Sequence, residues 1–153
     1  MTIDNPQPTL AFMHEWLGFT VSGEMEGRTR VSVNGEGPGK SIDILAPARA
    51  QRAMNGIGTV HHVAMAIGSE EEQRTLRDAL VRRGIDVTPV MDRSYFRSIY
   101  FREPGGVLLE VATIAPGFAV DEPLSELGRG LKLPPWEESR RTAIEAALPA
   151  IRY

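Results

Sequence analysis

The 153-residue chain contains no cysteine, which removes disulfide scaffolds, thiolate zinc centres and cysteine nucleophiles from consideration. No apolar run approaches the ~20 residues needed to span a bilayer, and Met1 to Leu10 has neither the basic nor the apolar region of a signal peptide. These absences point to a cytoplasmic protein with no membrane partner. Positive charge is not in excess either. Seventeen Lys plus Arg stand against 20 Asp plus Glu, for a formal charge of -3, and the bases are dispersed among the acids rather than gathered into a stripe. A nucleic-acid partner is therefore not expected. What remains, 42% hydrophobic residues in a chain of this length, suits one compact domain that can bury roughly two thirds of its surface without staples.

An internal repeat organises the chain. Leu10, Met13, Trp16 and Leu17 recur at helical spacing and Gly18 follows where a C-terminal cap belongs. Ser69 and Glu72 form a capping-box pattern ahead of Leu76, Ala79 and Leu80, and Gly84 closes that second helix. Strand-like stretches follow each helix: Thr20 to Glu24, Arg28 to Val33 and Ser41 to Leu45 after the first, and Ile85 to Met91, Tyr95 to Arg102 and Val107 to Thr113 after the second. Gly18 to Pro38 is 20 residues, as is Gly84 to Pro104, so an offset of 84 minus 18, or 66, superposes both halves.

The second half also has a strand before its helix, Thr59 to Ile67, whereas the offset carries the corresponding strand of the first half to positions before Met1, apart from a stub at Thr2 and Ile3. The expected architecture is α+β: paired strand-helix-three-strand units, the first (residues 1–46) lacking its first strand, a linker (47–57), a complete second unit (58–114) and a tail (115–153). Either the start lies upstream or a partner supplies the missing strand. The tail is expected to end in a helix, Trp136 to Leu148, with one face packed on the domain.

Only three histidines are present, and two of them, His61 and His62, sit in an otherwise apolar strand pattern. A buried imidazole without partners costs on the order of 1 to 3 kcal/mol. Strand alternation places His62 on the face of Ala64 and Ala66, which leaves space above it, and His61 on the face of Val63 and Met65. Taken alone, such a residue reads as a satisfied core or edge histidine. Glu110 changes the weighing, because it interrupts Val107 to Ala112, the most apolar strand of the chain, and carboxylates are rarely buried without a partner or a metal.

One imidazole and one carboxylate make two thirds of the set that holds non-haem iron(II); a salt bridge from Glu110 to Arg93, Arg97 or Arg102 is the alternative. Phe96, Ser98, Tyr100 and Arg102 share one strand face, and a phenol and a guanidinium near a metal would stabilise charge developing on a substrate oxygen. For Arg97 and Arg102, solvated positions on an edge strand serve equally well. His14 falls on a helix and reads as structural or exposed.

Gly58 to Ala64, with its paired histidines, and Glu103 to Thr113 resemble the vicinal oxygen chelate superfamily of glyoxalases and extradiol dioxygenases. Asp92 to Pro104, Pro116-Gly117-Phe118 with Asp121-Glu122, and Leu131 to Trp136 resemble more narrowly the C-terminal half of ring-cleaving dioxygenases of the hydroquinone type. The resemblance implies an iron(II) enzyme, with manganese(II) as a second option, that opens a small aromatic diphenol with molecular oxygen. Carried over by position, His62 and Glu110 are metal ligands, while His61, Arg93 and Tyr100 act around substrate and oxygen. It also implies a further histidine on the strand this chain lacks, so a second copy or a partner chain is expected to supply it. A non-catalytic binding or partner module of the same superfamily is the alternative, and a glyoxalase-like isomerase a third.

Overall fold

The structure is a computed structural model, and it describes residues 1–35, 37–48 and 56–149. The first unit comprises helix α1 (Pro6–Leu17) and strands β1 (Thr20–Met25), β2 (Arg28–Ser32) and β3 (Ser41–Leu45). The second comprises β4 (Val63–Ile67), helix α2 (Glu70–Arg82), β5 (Met91–Asp92), β6 (Arg97–Arg102) and β7 (Leu108–Thr113). Local chemistry sets the helix ends. Asn5 caps α1 by accepting the amide of Gln7, Pro6 starts it, and Gly18 ends it at φ 70°. Ser69 caps α2 by accepting the Glu72 amide, and three glutamates occupy its first turn, where the helix dipole favours negative charge.

The two sheets share one strand order. In the second, β4 pairs parallel with β7, followed by β6 and β5 in antiparallel sequence. In the first, the order inward is β3, β2, β1. The place corresponding to β4 is taken by a single parallel bridge from Thr2 to Leu45, in which Ile3 N donates to Leu45 O at 3.0 Å and Leu45 N to Met1 O at 2.8 Å. The expected repeat and its missing first strand are thus both present, with Thr2 marking the end of that strand's path along β3.

One interior serves both units. Phe12 of α1 packs with Leu80, Ile99, Phe101, Leu109 and Val111 of the second unit. Its neighbour Met13 packs with Ile3, Phe19, Val31 and Ile44 of the first. Burying each such side chain stabilises the fold by roughly 1.5 to 3 kcal/mol. A polar clamp reinforces the junction. Glu103, 2% exposed, accepts from Thr9 Oγ1 at 2.6 Å, from Gly105 N at 2.8 Å and from Val107 N at 2.7 Å. A Cβ on Gly105 would lie 2.8 Å from both Thr9 Oγ1 and Ile3 Cγ2, so only glycine lets the turn close on α1.

The elements depart from expectation in four places. The strand expected from Thr59 begins at Val63, and that expected over Ile85 to Met91 is reduced to a bridge from Val87 to Phe101 and the two residues of β5, because Pro89 has no amide to donate and the Tyr100 amide bonds the Thr88 side chain instead of a carbonyl. Residues 93–96 form the turn into β6, with Ser94 at φ 66°. The expected C-terminal helix is divided into a 3-10 segment, Pro135–Arg140, and helix α3 (Arg141–Ala147), neither with a buried residue. The expected packing of that helix on the domain is therefore not found: Trp136 remains 66% exposed, because the tail's polar bonds tie it to itself, with Arg141 on Glu138, Glu145 and Leu131 O. Most of the expected linker falls outside the described residues.

Candidate functional site

Each sheet has one face on the shared interior and one face turned away from it. On β7 the core residues Leu109 and Val111 flank Glu110, so alternation turns the carboxylate to the outer face. Register brings that face together: Glu110 lies opposite Tyr100 on β6 and Ala64 on β4. Glu110 is nevertheless 4% exposed, and its oxygens are fully engaged. Oε1 accepts from the Ser98 hydroxyl in a short hydrogen bond and from Tyr100 Oη at 2.8 Å. Oε2 lies 2.7 Å from His62 Nε2. None of Arg93, Arg97 or Arg102 pairs with it, so the salt-bridge alternative is not realised. Arg97 binds Glu70 and Asp92, Arg102 binds Gly106 O, and Arg93 lies over the Tyr100 ring at 5.4 Å.

His61 and His62 meet. Their Nδ1 atoms are 2.9 Å apart and their rings are edge-on with centroids at 5.1 Å. The expected opposition of the two rings is overturned, because both residues precede β4 and pleat alternation does not apply to them. Proton placement follows from the partners. With its proton on Nε2, His62 donates to Glu110 and accepts at Nδ1 from His61 Nδ1–H, giving a continuous line from His61 to the carboxylate. Tyr100 closes the other side, its ring edge-on to His62 at 5.8 Å. All five residues expected at a site thus converge on one patch. His14 is exposed and bonds Phe19 O through Nδ1 at 3.0 Å, in keeping with a structural reading.

Ser98 is the partner sequence reasoning missed. It shares the face of Tyr100 by period two, but only register shows that it points at Glu110. The repeat also reveals a counterpart. Asp43, the third residue of β3, lies opposite Arg30 of β2, as Glu110, the third residue of β7, lies opposite Tyr100. The spacing is 110 minus 43, or 67, one residue from the expected offset. Asp43 takes Arg30 through Nε at 2.7 Å and Arg28 through Nη1 at 3.0 Å. The Arg30 hydrogen bond, with help from Arg28, holds its carboxyl at about 2 against an ordinary 3.8.

The donor set fits part of a divalent metal site. His62 Nε2 and Glu110 Oε2, at 2.7 Å, are close to the ~3 Å that separates two ligand atoms at right angles around a cation held at ~2.1 Å. Among the described residues the buried carboxylate has no Lys or Arg partner, which leaves its charge available. No third His, Cys, Asp or Glu among the described residues joins them.

Comparison with known proteins assigns the chain to a family. The profile of the Glyoxalase/Bleomycin resistance protein/Dioxygenase superfamily matches residues 1–111. The chain is 38% identical over 157 aligned residues to the Bacillus subtilis (strain 168) protein named "Putative ring-cleaving dioxygenase MhqA", covering 99% of this chain and 50% of that protein. It is 30% identical over 139 residues to the "Chlorohydroquinone/hydroquinone 1,2-dioxygenase" of Sphingobium indicum, covering 88% and 42%. A crystal structure of a B. subtilis protein described as a "putative dioxygenase" superposes with a TM-score of 0.86 at 37% identity, over 99% of this chain and 49% of that one. The chain spans about half the length of the curated relatives it matches.

Proposed function

The chain belongs to the Glyoxalase/Bleomycin resistance protein/Dioxygenase superfamily, and from that membership we propose that it is the metal-bearing half of an iron(II)-dependent ring-cleaving dioxygenase acting on a dihydroxybenzene. The observation that carries this reading is a buried carboxylate, Glu110, joined to His62 and, among the described residues, to no arginine or lysine. His62 and Glu110 would hold the cation, with manganese(II) as the other candidate. When bound, iron(II) supplies Lewis acidity toward the diphenol and a route for electrons to molecular oxygen.

The chain's own groups then have defined tasks. Ser98 and Tyr100 donate to Oε1 of Glu110, which fixes the carboxylate's orientation so that Oε2 faces His62. Arg93, held over the Tyr100 ring, places a permanent positive charge where a phenolate oxygen would lie. His61, in contact with His62 Nδ1, is placed to take the proton that a diphenol hydroxyl loses on binding. Ala64 and Ala66, both exposed on the same outer face, leave room for a flat ring.

The third ligand would come from a second copy or a partner chain. A specific observation favours such a partner. The outer edges of β3 and β4 are both unpaired beyond the Thr2 bridge, and between them lies a cleft of about 630 Å³ bordered by Ser41, Ile42, Ala64 and Ala66. Exposed strand edges invite an added strand. A non-catalytic module that needs this partner is the second reading.

Oxygen uptake separates the readings. Protein reconstituted anaerobically with iron(II) should consume oxygen and open the ring when hydroquinone, then catechol, is added. Glu110→Gln should lose both iron retention and uptake; retained uptake would remove Glu110 from the site. Uptake that appears only at protein concentrations where light scattering finds a dimer would place the third ligand on a second copy. No uptake from a protein that binds no iron would favour the non-catalytic module.

A further inference from the structure

Beyond the metal-facing residues, the outer face continues into an aromatic cluster that none of the tasks above uses. Arg93 N donates to Phe96 O at 2.9 Å, so the ladder in which Met91 pairs with Ser98 and Asp92 with Arg97 continues to an Arg93–Phe96 pair. Opposite residues of an antiparallel pair share a face. Arg93, Phe96's partner in that bond, lies over the Tyr100 ring at 5.4 Å, which sets this turn beside the face of Tyr100 and of Ser98, whose hydroxyl bonds Glu110.

Against Phe96 stands Phe118. After β7 the chain turns at a cis Ala115–Pro116 bond, and Gly117 N donates to Tyr95 O at 2.9 Å, which delivers Phe118 to the rim of the sheet. Its ring stacks on Tyr95 at 5.0 Å and 29°, and meets Phe96 edge-on at 6.0 Å. Tyr95 is itself anchored, its hydroxyl donating to Asp121 Oδ2 at 3.0 Å. The ring is thus fixed from behind by two aromatics and a hydrogen bond, yet 58% exposed. A large apolar surface that is rigid and open belongs to a contact made with something else.

We propose that Phe118, backed by Phe96 and Tyr95, is a specificity-determining wall of the substrate site and meets the ring substituent on the edge of the diphenol away from Glu110. A ring held by its hydroxyls near Glu110 and His62 reaches toward Phe96 and Phe118 on one side and Arg93 on the other. A halogen or alkyl group on the Phe118 side is covered by apolar surface, whereas an ionised carboxylate there would lose its hydration with no donor in exchange. The proposal rests on the dioxygenase reading for the nature of the ring.

The test is anaerobic titration calorimetry of the full chain, with iron(II) added, against hydroquinone and chlorohydroquinone. Wild type should prefer the chlorinated ring by about tenfold, as one apolar group in a fitted pocket commonly gives. Phe118→Ala should bring the ratio close to one, and Phe118→Leu should restore part of it. Because chlorine also acidifies the ring hydroxyls equally for every variant, the change in ratio is the readout. A ratio unchanged in Phe118→Ala overturns the wall, and a wild type that binds neither diphenol overturns both the wall and the dioxygenase reading. A ratio that collapses in Phe118→Ala while wild type consumes no oxygen overturns the dioxygenase reading alone.

Discussion

Asp43 and Glu110 occupy matching positions in matching sheets, and their surroundings differ in one respect. Asp43 lies between two guanidinium groups, which neutralise it and hold its proton affinity low. Glu110 lies among two hydroxyls and an imidazole, groups that orient a carboxylate without cancelling its charge unless the histidine is protonated. Two units of one topology thus give one carboxylate already paired with arginine and one open to a metal cation. What differs between the two carboxylates is the residue across the ladder, arginine in β2 and tyrosine in β6.

Exchanging the two carboxylates for amides gives the largest expected difference. Glu110→Gln should weaken manganese(II) binding about 100-fold or more, whereas Asp43→Asn should leave it within about twofold, both by calorimetry. Equal effects would erase the distinction between the units. Glu103 offers a third carboxylate, buried and wholly engaged by Thr9 and its own turn. Glu103→Ala strands buried donors and should cost about 3 kcal/mol, lowering Tm by roughly 10 °C with metal affinity unchanged.

Removing one orienting hydroxyl, by Ser98→Ala or Tyr100→Phe, should weaken metal binding about tenfold and lower Tm by a few degrees, because a buried carboxylate loses a donor. The smallest effect concerns pH. The folded Asp43 carboxyl titrates at about 2 and its ordinary value is 3.8, so the unfolded chain takes the proton first as pH falls. Its contribution to stability is present above 3.8 and is lost on descent toward 2. Denaturant titrations between pH 4 and pH 2 should show a shallower decline for Asp43→Asn than for wild type.

Much of the site was legible because its signals violate a local pattern. A carboxylate in the most apolar strand and two histidines beside an apolar run each demand a partner, and both belong to one repeat unit. The ends marked by Gly18, Ser69 and Gly84 were legible through capping chemistry, whereas the start of α1 at Pro6 and its Asn5 cap were not. Ser98 was hidden, because a serine on a strand carries no signal until register places it diagonally across from a charge, beside the Tyr100–Glu110 pair. The meeting of His61 and His62 was hidden for a related reason: alternation predicts opposed side chains only inside a strand, and β4 begins one residue later. The tail misled because helical spacing in Trp136 to Leu148 shows an apolar face but says nothing of whether a surface exists to receive it.

By itself the sequence determined the repeat, the ends of its two helices at Gly18 and Gly84, and the family, since these follow from spacing, caps and local motifs that act over a few residues. Tertiary structure alone decided which groups face Glu110 and which face Asp43. That outcome depends on ladder register between strands distant in the chain, where a shift of one residue would turn every one of these side chains to the opposite face.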